Sequence, residues 1–195
     1  LEGQDENDAT TIEIKETTTS ELLSKSVKGM RIGVPKEYFI DGMDEEVRAS
    51  VQEAINLLKE QGAEIREVSL PLTQYALPTY YIIQPAECSS NLARYEGIRY
   101  GNRAQTDNLI DSYIKSRGDG FGAEVKRRIM LGTYILSAGY YDAYYKKALA
   151  IKTAIFNEFE EVFKDVDVIA CPTSPSVAWD IDAKFNDPLT MYLSD

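Results

Sequence analysis

Histidine is absent from all 195 residues of this chain. That absence removes the Ser-His-Asp triad, the Cys-His dyad and any His-ligated zinc site from what the chain alone can assemble. A hydrolase containing this segment must take its general base from a lysine, a carboxylate or a group outside it. Cysteine is scarce: Cys88 and Cys171 lie far apart and form no CxxC. A disulfide framework is therefore excluded, and the composition fits a reducing, cytoplasmic setting. No run of about 18 apolar residues occurs, so no membrane span is expected, and the start is too acidic for a signal peptide. Basic residues are the minority, with 21 Lys and Arg against 32 Asp and Glu, for a formal charge of −11. Such a surface repels phosphate backbones and is not expected to be a major nucleic-acid contact. Internal repeats and low-complexity segments are also lacking. The chain opens at Leu1 rather than Met and stops at Asp195 in mid-pattern, which reads as a piece of a longer protein. Its length suffices for one domain with a sizeable core.

The richest stretch is 124–147, EVKRRIMLGTYILSAGYYDAYYKK. Arg127 and Arg128 open an otherwise apolar run, and Tyr134, Tyr140, Tyr141, Tyr144 and Tyr145 follow within twelve positions. Tyr140/Tyr144 and Tyr141/Tyr145 are i,i+4 pairs, which stack along one side of a helix. Two readings compete. A rigid aromatic scaffold holding a guanidinium is a common way to seize a carboxylate. A solvated basic turn followed by an aromatic core helix has the same spacing.

Along the chain, residues 1–19 are polar and acidic and read as a connector, with a Gly-x-Asp-x-x-Asp-x-Thr pattern at Gly3, Asp5, Asp8 and Thr10. Residues 30–34 predict a short strand closed by Pro35. Residues 44–61 predict an amphipathic helix with the stripe Val47, Val51, Ala54, Ile55 and Leu58, ended by Gly62. Residues 63–70 predict the next strand, stopped by Pro71. Strand, helix and strand at this length make a βαβ unit over 30–71 with parallel strands. A helical region is expected over 72–165. Pro78 and Pro85 should break or kink a helix over 75–95. A shorter helix is expected around 107–116, a plain GDGFG turn at 118–122, and strong helices over 123–137 and 140–164. Tyr141, Tyr145, Ala148, Ile155, Phe159 and Val162 would be the buried face of the last. Residues 166–170 predict an apolar strand, and the loop Cys171-Pro172-Thr173-Ser174-Pro175 leaves its carboxyl end, where α/β proteins commonly hold ligands.

Catalytic candidates are thin. The GDGFG run lacks a preceding strand and a GKS/T ending, so it reads as a loop and not a phosphate cradle. Ser89, Ser90 and Ser174 have no evident base nearby, and Cys88 reads as a small packed residue. Asp165 and Asp167 flank the start of a strand and read as solvated. Binding is the better expectation.

The strings MRIGVPKEYF, QPAECSSNLARYEGIRYG, EVKRRIMLGTYILSAGYYDAYYKKA, CPTSP and DPLTMYLSD together resemble the amidase-signature family, in its glutamine-hydrolysing, tRNA-dependent amidotransferase branch. The resemblance runs in order along essentially the whole chain. It implies an α/β amidase-signature fold, a mixed sheet flanked by helices, of which this chain would supply about three strands and most outer helices. Without the other strands, those helices would expose apolar faces.

The resemblance also implies a chemistry. In that branch a Ser–Ser–Lys triad releases ammonia from glutamine. The B subunit of the complex uses ATP and Mg to amidate Glu-tRNA(Gln), and the C subunit makes up a heterotrimer. The Gly/Ser-rich signature and its lysine have no counterpart here, so no catalytic residue is assigned and the chain alone is expected to be inactive. No cofactor is expected in this chain, and tRNA is expected to bind mainly through the B subunit. Three substrate-binding roles carry over. Arg128, the second arginine of KRRI, would grip the α-carboxylate of glutamine. Asp195, ending the MYxxD string, would meet its α-ammonium. Tyr80, opening YYIIQPAE, would line the pocket. These pairings suit the groups, because a guanidinium only donates and a carboxylate only accepts. Two other readings remain: an amidase-signature hydrolase of another amide, and a non-catalytic interaction protein that kept this part of the fold.

Overall fold

The structure is a computed structural model that describes residues 4–13, 25–178 and 180. Strand β1 (Arg31–Pro35) leads through helix α1 (Glu45–Glu60) to strand β2 (Glu64–Val68), and β1 and β2 pair in parallel from Arg31↔Glu64 to Pro35↔Val68. Asp44 caps α1 by accepting from the Glu46 amide at 3.0 Å, and Gly62, at φ +94°, turns the chain out of it in the left-handed region glycine tolerates. Ile55 anchors the α1 stripe at 5 % exposure, whereas Ala54 is exposed. Strand β3 (Val168–Ile169) pairs parallel on the other side of β1, giving the order β2-β1-β3. The mixed sheet expected of a whole domain is represented here by this parallel portion. Being central, β1 carries the most buried residues of the sheet, Ile32 and Pro35 among them.

A hydrogen-bonded ion pair fastens β1 to β3. Asp167 accepts from Arg31 Nη2 at 2.6 Å, from Arg31 Nε at 3.2 Å and from the Arg31 amide at 2.8 Å. Asp167 is exposed, as its sequence setting leads one to expect, and parallel pairing adds a partner by placing it opposite the arginine at the start of β1. The Arg31 guanidinium, and next its amide, hold the Asp167 carboxyl down at about 2.

The helical region packs beside this sheet. A 3-10 turn (Pro71–Tyr75) enters helix α2 (Ala76–Asn91), followed by α3 (Leu109–Gly120), α4 (Ala123–Ile135) and α5 (Lys146–Asp165). Pro78 sits in the first turn of α2, where a missing N–H is harmless, while Pro85 lies in its interior and lacks the N–H of a helical ladder. Glycines 118 and 120 belong to the last turn of α3, so only the end of the GDGFG run is a loop. A π-turn (Tyr141–Tyr145) precedes α5, with the Lys146 amide reaching back to Tyr141 O. The extra residue in such a turn shifts the helical phase. Tyr141 is exposed, against expectation, whereas Ala148 is buried as expected. The tyrosine pairs form, with ring centroids 5.9 Å apart for Tyr140/Tyr144 and 5.4 Å for Tyr141/Tyr145.

Helices α2 and α4 cross at very short range. A Cβ at Gly132 would lie 1.9 Å from the Pro85 carbonyl oxygen and 2.8 Å from Ser89 Oγ, so only glycine lets the two backbones meet. Helix α5 covers α2 with Ala148 and Ile155, and Glu158 accepts from the Leu72 amide at 3.2 Å. Large apolar side chains remain exposed on the outer helices, including Ile114, Met130 and Phe156. Among the described residues no helix is long and apolar enough to cross a membrane.

Two consequences are measurable in the full-length protein. Gly132→Ala must push α2 and α4 apart, and overpacking of this kind costs about 1–3 kcal/mol or more; chemical denaturation should register the loss, and an unchanged midpoint would refute the close crossing. Asp167 has a folded pKa below its ordinary value of about 3.9. The stability its pair contributes is therefore present above pH ~4 and is lost as pH falls toward ~2. Asp167→Asn should melt below the wild type at neutral pH, with the gap closing in acid. A gap that persists unchanged at pH ~2 would contradict this linkage.

Candidate substrate-binding site

Helix α4 starts at Ala123 after an extended Gly122, which puts Glu124 in the first turn, where the helix dipole favours an anion. About one turn later, at i+3 and i+4, Arg127 and Arg128 reach back to it. Arg127 is bidentate, Nε to Oε2 and Nη2 to Oε1, both at 2.8 Å. Arg128 donates through Nε to Oε1 at 2.7 Å. These two guanidinium groups, Arg127 first, depress the Glu124 carboxyl to about 2. The carboxylate in turn raises the Arg128 pKa above its ordinary value, with the Tyr80 contact adding and burial opposing.

The arginines differ in surroundings. The Arg127 side chain is 55 % exposed and that of Arg128 only 23 %. Arg128 crosses to α2, where Nη1 donates to Tyr80 Oη at 3.2 Å and to Gln84 Oε1 at 2.7 Å. The crossing at Gly132 makes this reach possible, since Gly132 lies one turn beyond Arg128 and Pro85 is the residue after Gln84. Tyr80 is itself braced edge-on against Tyr81, with ring centroids 5.1 Å apart.

The donor and acceptor roles here are forced. A guanidinium has no acceptor, so the phenol and the carboxamide must turn their oxygens toward it. What remains is the Tyr80 O–H proton, the Gln84 amide protons and Arg128 Nη2, which has no hydrogen-bond partner among the described residues. These are donors, beside the second lone pairs of the Tyr80 and Gln84 oxygens. Such a set suits an anionic ligand, and a planar fork suits a carboxylate in particular. Tyr80 and Gln84 also line a groove of about 650 Å³ between α2 and α5, with Lys152 and Ile155 on the facing wall. Arg128 stands at the edge of this groove rather than on its wall.

Of the three residues expected to bind substrate, the structure brings Tyr80 and Arg128 together, 48 positions apart in sequence. Asp195 lies outside the described residues. The aromatic stretch after Arg128 does not scaffold it: the phenol bonded to Arg128 is Tyr80 on α2, and Lys146 is the cation over Tyr141, 5.5 Å from the ring centroid. Two participants were not singled out from sequence, Gln84 and Glu124. Both were one helical turn away, Gln84 four after Tyr80 and Glu124 four before Arg128, so helical spacing could have found them. Among the described residues neither Ser89 nor Cys88 acquires a base; Ser89 Oγ donates to Ala86 O at 2.9 Å. No cluster of three His, Cys, Asp or Glu suited to a metal occurs among the described residues.

Comparison with known proteins agrees with this architecture. The model of the amidase family matches residues 1–195. The A subunit of glutamyl-tRNA(Gln) amidotransferase from Chloroflexus aggregans is 53 % identical over 195 residues, which is all of this chain and 40 % of that protein. The corresponding protein of Thermoanaerobacter pseudethanolicus is 56 % identical over 194 residues, 99 % of this chain and 40 % of that one. A crystal structure of the glutamyl-tRNA(Gln) amidotransferase A subunit from Thermotoga maritima superposes with a TM-score of 0.67 at 39 % identity, covering 98 % of this chain and 37 % of that one. A crystal structure of an amidase shares the fold at a TM-score of 0.61 and 22 % identity, over 82 % of this chain and 31 % of the other. The chain thus spans about two fifths of the length of the curated relatives it matches. With the family match running from its first residue to its last and the amidase-signature fold in place, the chain belongs to the amidase family.

Proposed function

We propose that the full-length protein is the glutamine-hydrolysing subunit of a glutamyl-tRNA(Gln) amidotransferase, and that this chain supplies the grip on the α-carboxylate of glutamine. The observation that carries this reading is the half-buried Arg128, pinned through Nε and Nη1, with its Nη2, the Tyr80 hydroxyl proton and the Gln84 amide protons still able to donate. High identity to relatives named as A subunits of that enzyme supports it. Asp195 takes the α-ammonium, completing a clamp for a zwitterion that a simple amide would not need. The Ser–Ser–Lys triad belongs to the part of the protein outside this chain, in keeping with the absence of histidine. Ammonia passes to the B subunit, where ATP and Mg serve the amidation of Glu-tRNA(Gln), and the C subunit joins them in a heterotrimer. The −11 charge fits a tRNA contact made mainly by the B subunit.

In the assembled enzyme, Arg128→Ala should weaken glutamine by about 2–4 kcal/mol, the loss of a charge-assisted pair in a partly desolvated site. At about 1.4 kcal/mol per tenfold, this is roughly a 30- to 1000-fold rise in apparent glutamine KM. Arg128→Lys should recover only part, because an ammonium lacks the fork. Amidation driven by free ammonia bypasses the pocket and should be nearly untouched. Arg127→Ala should be mild, since Arg128 keeps Glu124, Tyr80 and Gln84 without it. Equal losses in the glutamine- and ammonia-driven reactions would assign Arg128 to the fold and not the substrate. The 195-residue chain by itself should release no ammonia from glutamine, and protein-dependent release would show that a nucleophile lies within it.

A further inference from the structure

We infer that Gln84 is a specificity-determining residue of this carboxylate site; the inference rests on the reading of Arg128 above. Its orientation is dictated by its partner. Because Arg128 only donates, the Gln84 carboxamide turns Oε1 to Nη1 at 2.7 Å, and Nε2 is left as a donor with no partner among the described residues. A ligand carboxylate held by Arg128 is the acceptor that this nitrogen meets.

Charge gives the second part of the role. Gln84 immobilises the guanidinium with a neutral acceptor. The carboxylate bonded to Arg128 among the described residues is Glu124, and Arg127 holds that same carboxylate through both its oxygens. Arg128 therefore shares an anion with a second guanidinium, and its own positive charge is not cancelled. A glutamate at position 84 would keep the size and reach of the side chain and bond Arg128 more strongly. It would also neutralise the guanidinium and set a like charge beside the ligand carboxylate. Stability and substrate binding are thus driven in opposite directions at this position, which a purely structural contact would not do.

Placement gives the third part. Gln84 lies one turn from Tyr80 on α2, and both line the groove facing Lys152. The next residue, Pro85, is the one whose carbonyl abuts Gly132 of α4. The stretch carrying Gln84 is therefore held at a fixed distance from the helix that carries Arg128.

The test uses the full-length protein assembled with its partner subunits. Two substrates are compared: glutamine, and glutamine α-amide, in which a neutral carboxamide replaces the α-carboxylate. Gln84→Glu should raise the glutamine KM on the order of 30-fold, the scale of a like-charge juxtaposition in a partly desolvated site. Its melting temperature should not fall, kcat should stay close to wild type, and the preference for glutamine over its α-amide should collapse. Gln84→Met keeps the volume but removes both hydrogen bonds, and should raise the glutamine KM about 5- to 10-fold with some loss of that preference. Arg128→Lys separates the two levels of the argument. If Arg128→Lys raises KM while Gln84→Glu leaves KM and the preference unchanged, the Gln84 inference is overturned and the Arg128 reading stands. If Arg128→Lys also leaves KM unchanged, both fall. Should Gln84→Glu not assemble, Gln84→Met decides, and an unchanged glutamine KM in that variant overturns the inference.

Discussion

The contact between Gly132 and Pro85 governs the rest of this arrangement. Two helices approach so closely that a single methyl group at position 132 would overlap the Pro85 carbonyl. Proline and glycine are each poor helix residues, at about 3 and 1 kcal/mol less favourable than alanine in a helix interior. Here both lie inside helices, and the crossing explains the glycine, since only it lets the Pro85 carbonyl come so near. A side chain at 132 would hold α4 away from α2, and the 3.2 Å and 2.7 Å bonds from Arg128 to Tyr80 and Gln84 would lengthen beyond hydrogen-bond range. The crossing thus sets the geometry of the candidate site.

The electrostatics of that site are a matter of counting partners. Adjacent guanidinium groups repel, and Glu124 in the first turn of α4 lets both arginines stand side by side. Exposure then separates their roles. Arg127 lies mostly in water, where ion pairs contribute little, whereas Arg128 is partly withdrawn from it and its remaining donor capacity is worth more. Neutral acceptors on α2 hold Arg128 in place without supplying the counter-charge. This combination of fixed geometry and uncancelled charge favours the reading of the site as a carboxylate receptor.

The outer surface carries a different message. Ile114, Met130, Phe156 and several tyrosines are exposed on α3, α4, α5 and the π-turn before α5. A chain covering two fifths of the length of its relatives has much of a domain still to be packed against it, and apolar faces of this kind are what such a domain covers. The sheet points the same way. Its described strands number three, with short β3 at one edge, and edges of this kind are the natural continuation points of an α/β sheet.

The local elements and the kinds of chemistry open to the chain were legible in the residue order. Helical periodicity and the Asp44 and Gly62 boundaries define α1, the crossover length makes β1 and β2 parallel, and the missing histidine rules out whole classes of catalyst, because each of these is a property of neighbouring residues or of composition. The resemblance carried Arg128 and Tyr80 as substrate ligands, and the fold brings them into contact. What no local pattern could decide was which groups would surround Arg128. The run of tyrosines after it left both a scaffold and an aromatic core helix open, and the phenol that meets Arg128 is Tyr80, from 48 residues away. Asp167 is exposed as expected, but its ion pair with Arg31 exists only because parallel pairing sets the two side by side. Helical spacing puts Gln84 one turn from Tyr80, but its bond to Arg128 exists only because α2 and α4 meet at Gly132. Hydrogen-bond partners distant in sequence depend on the angle and distance at which helices pack, and those are fixed by the tertiary structure.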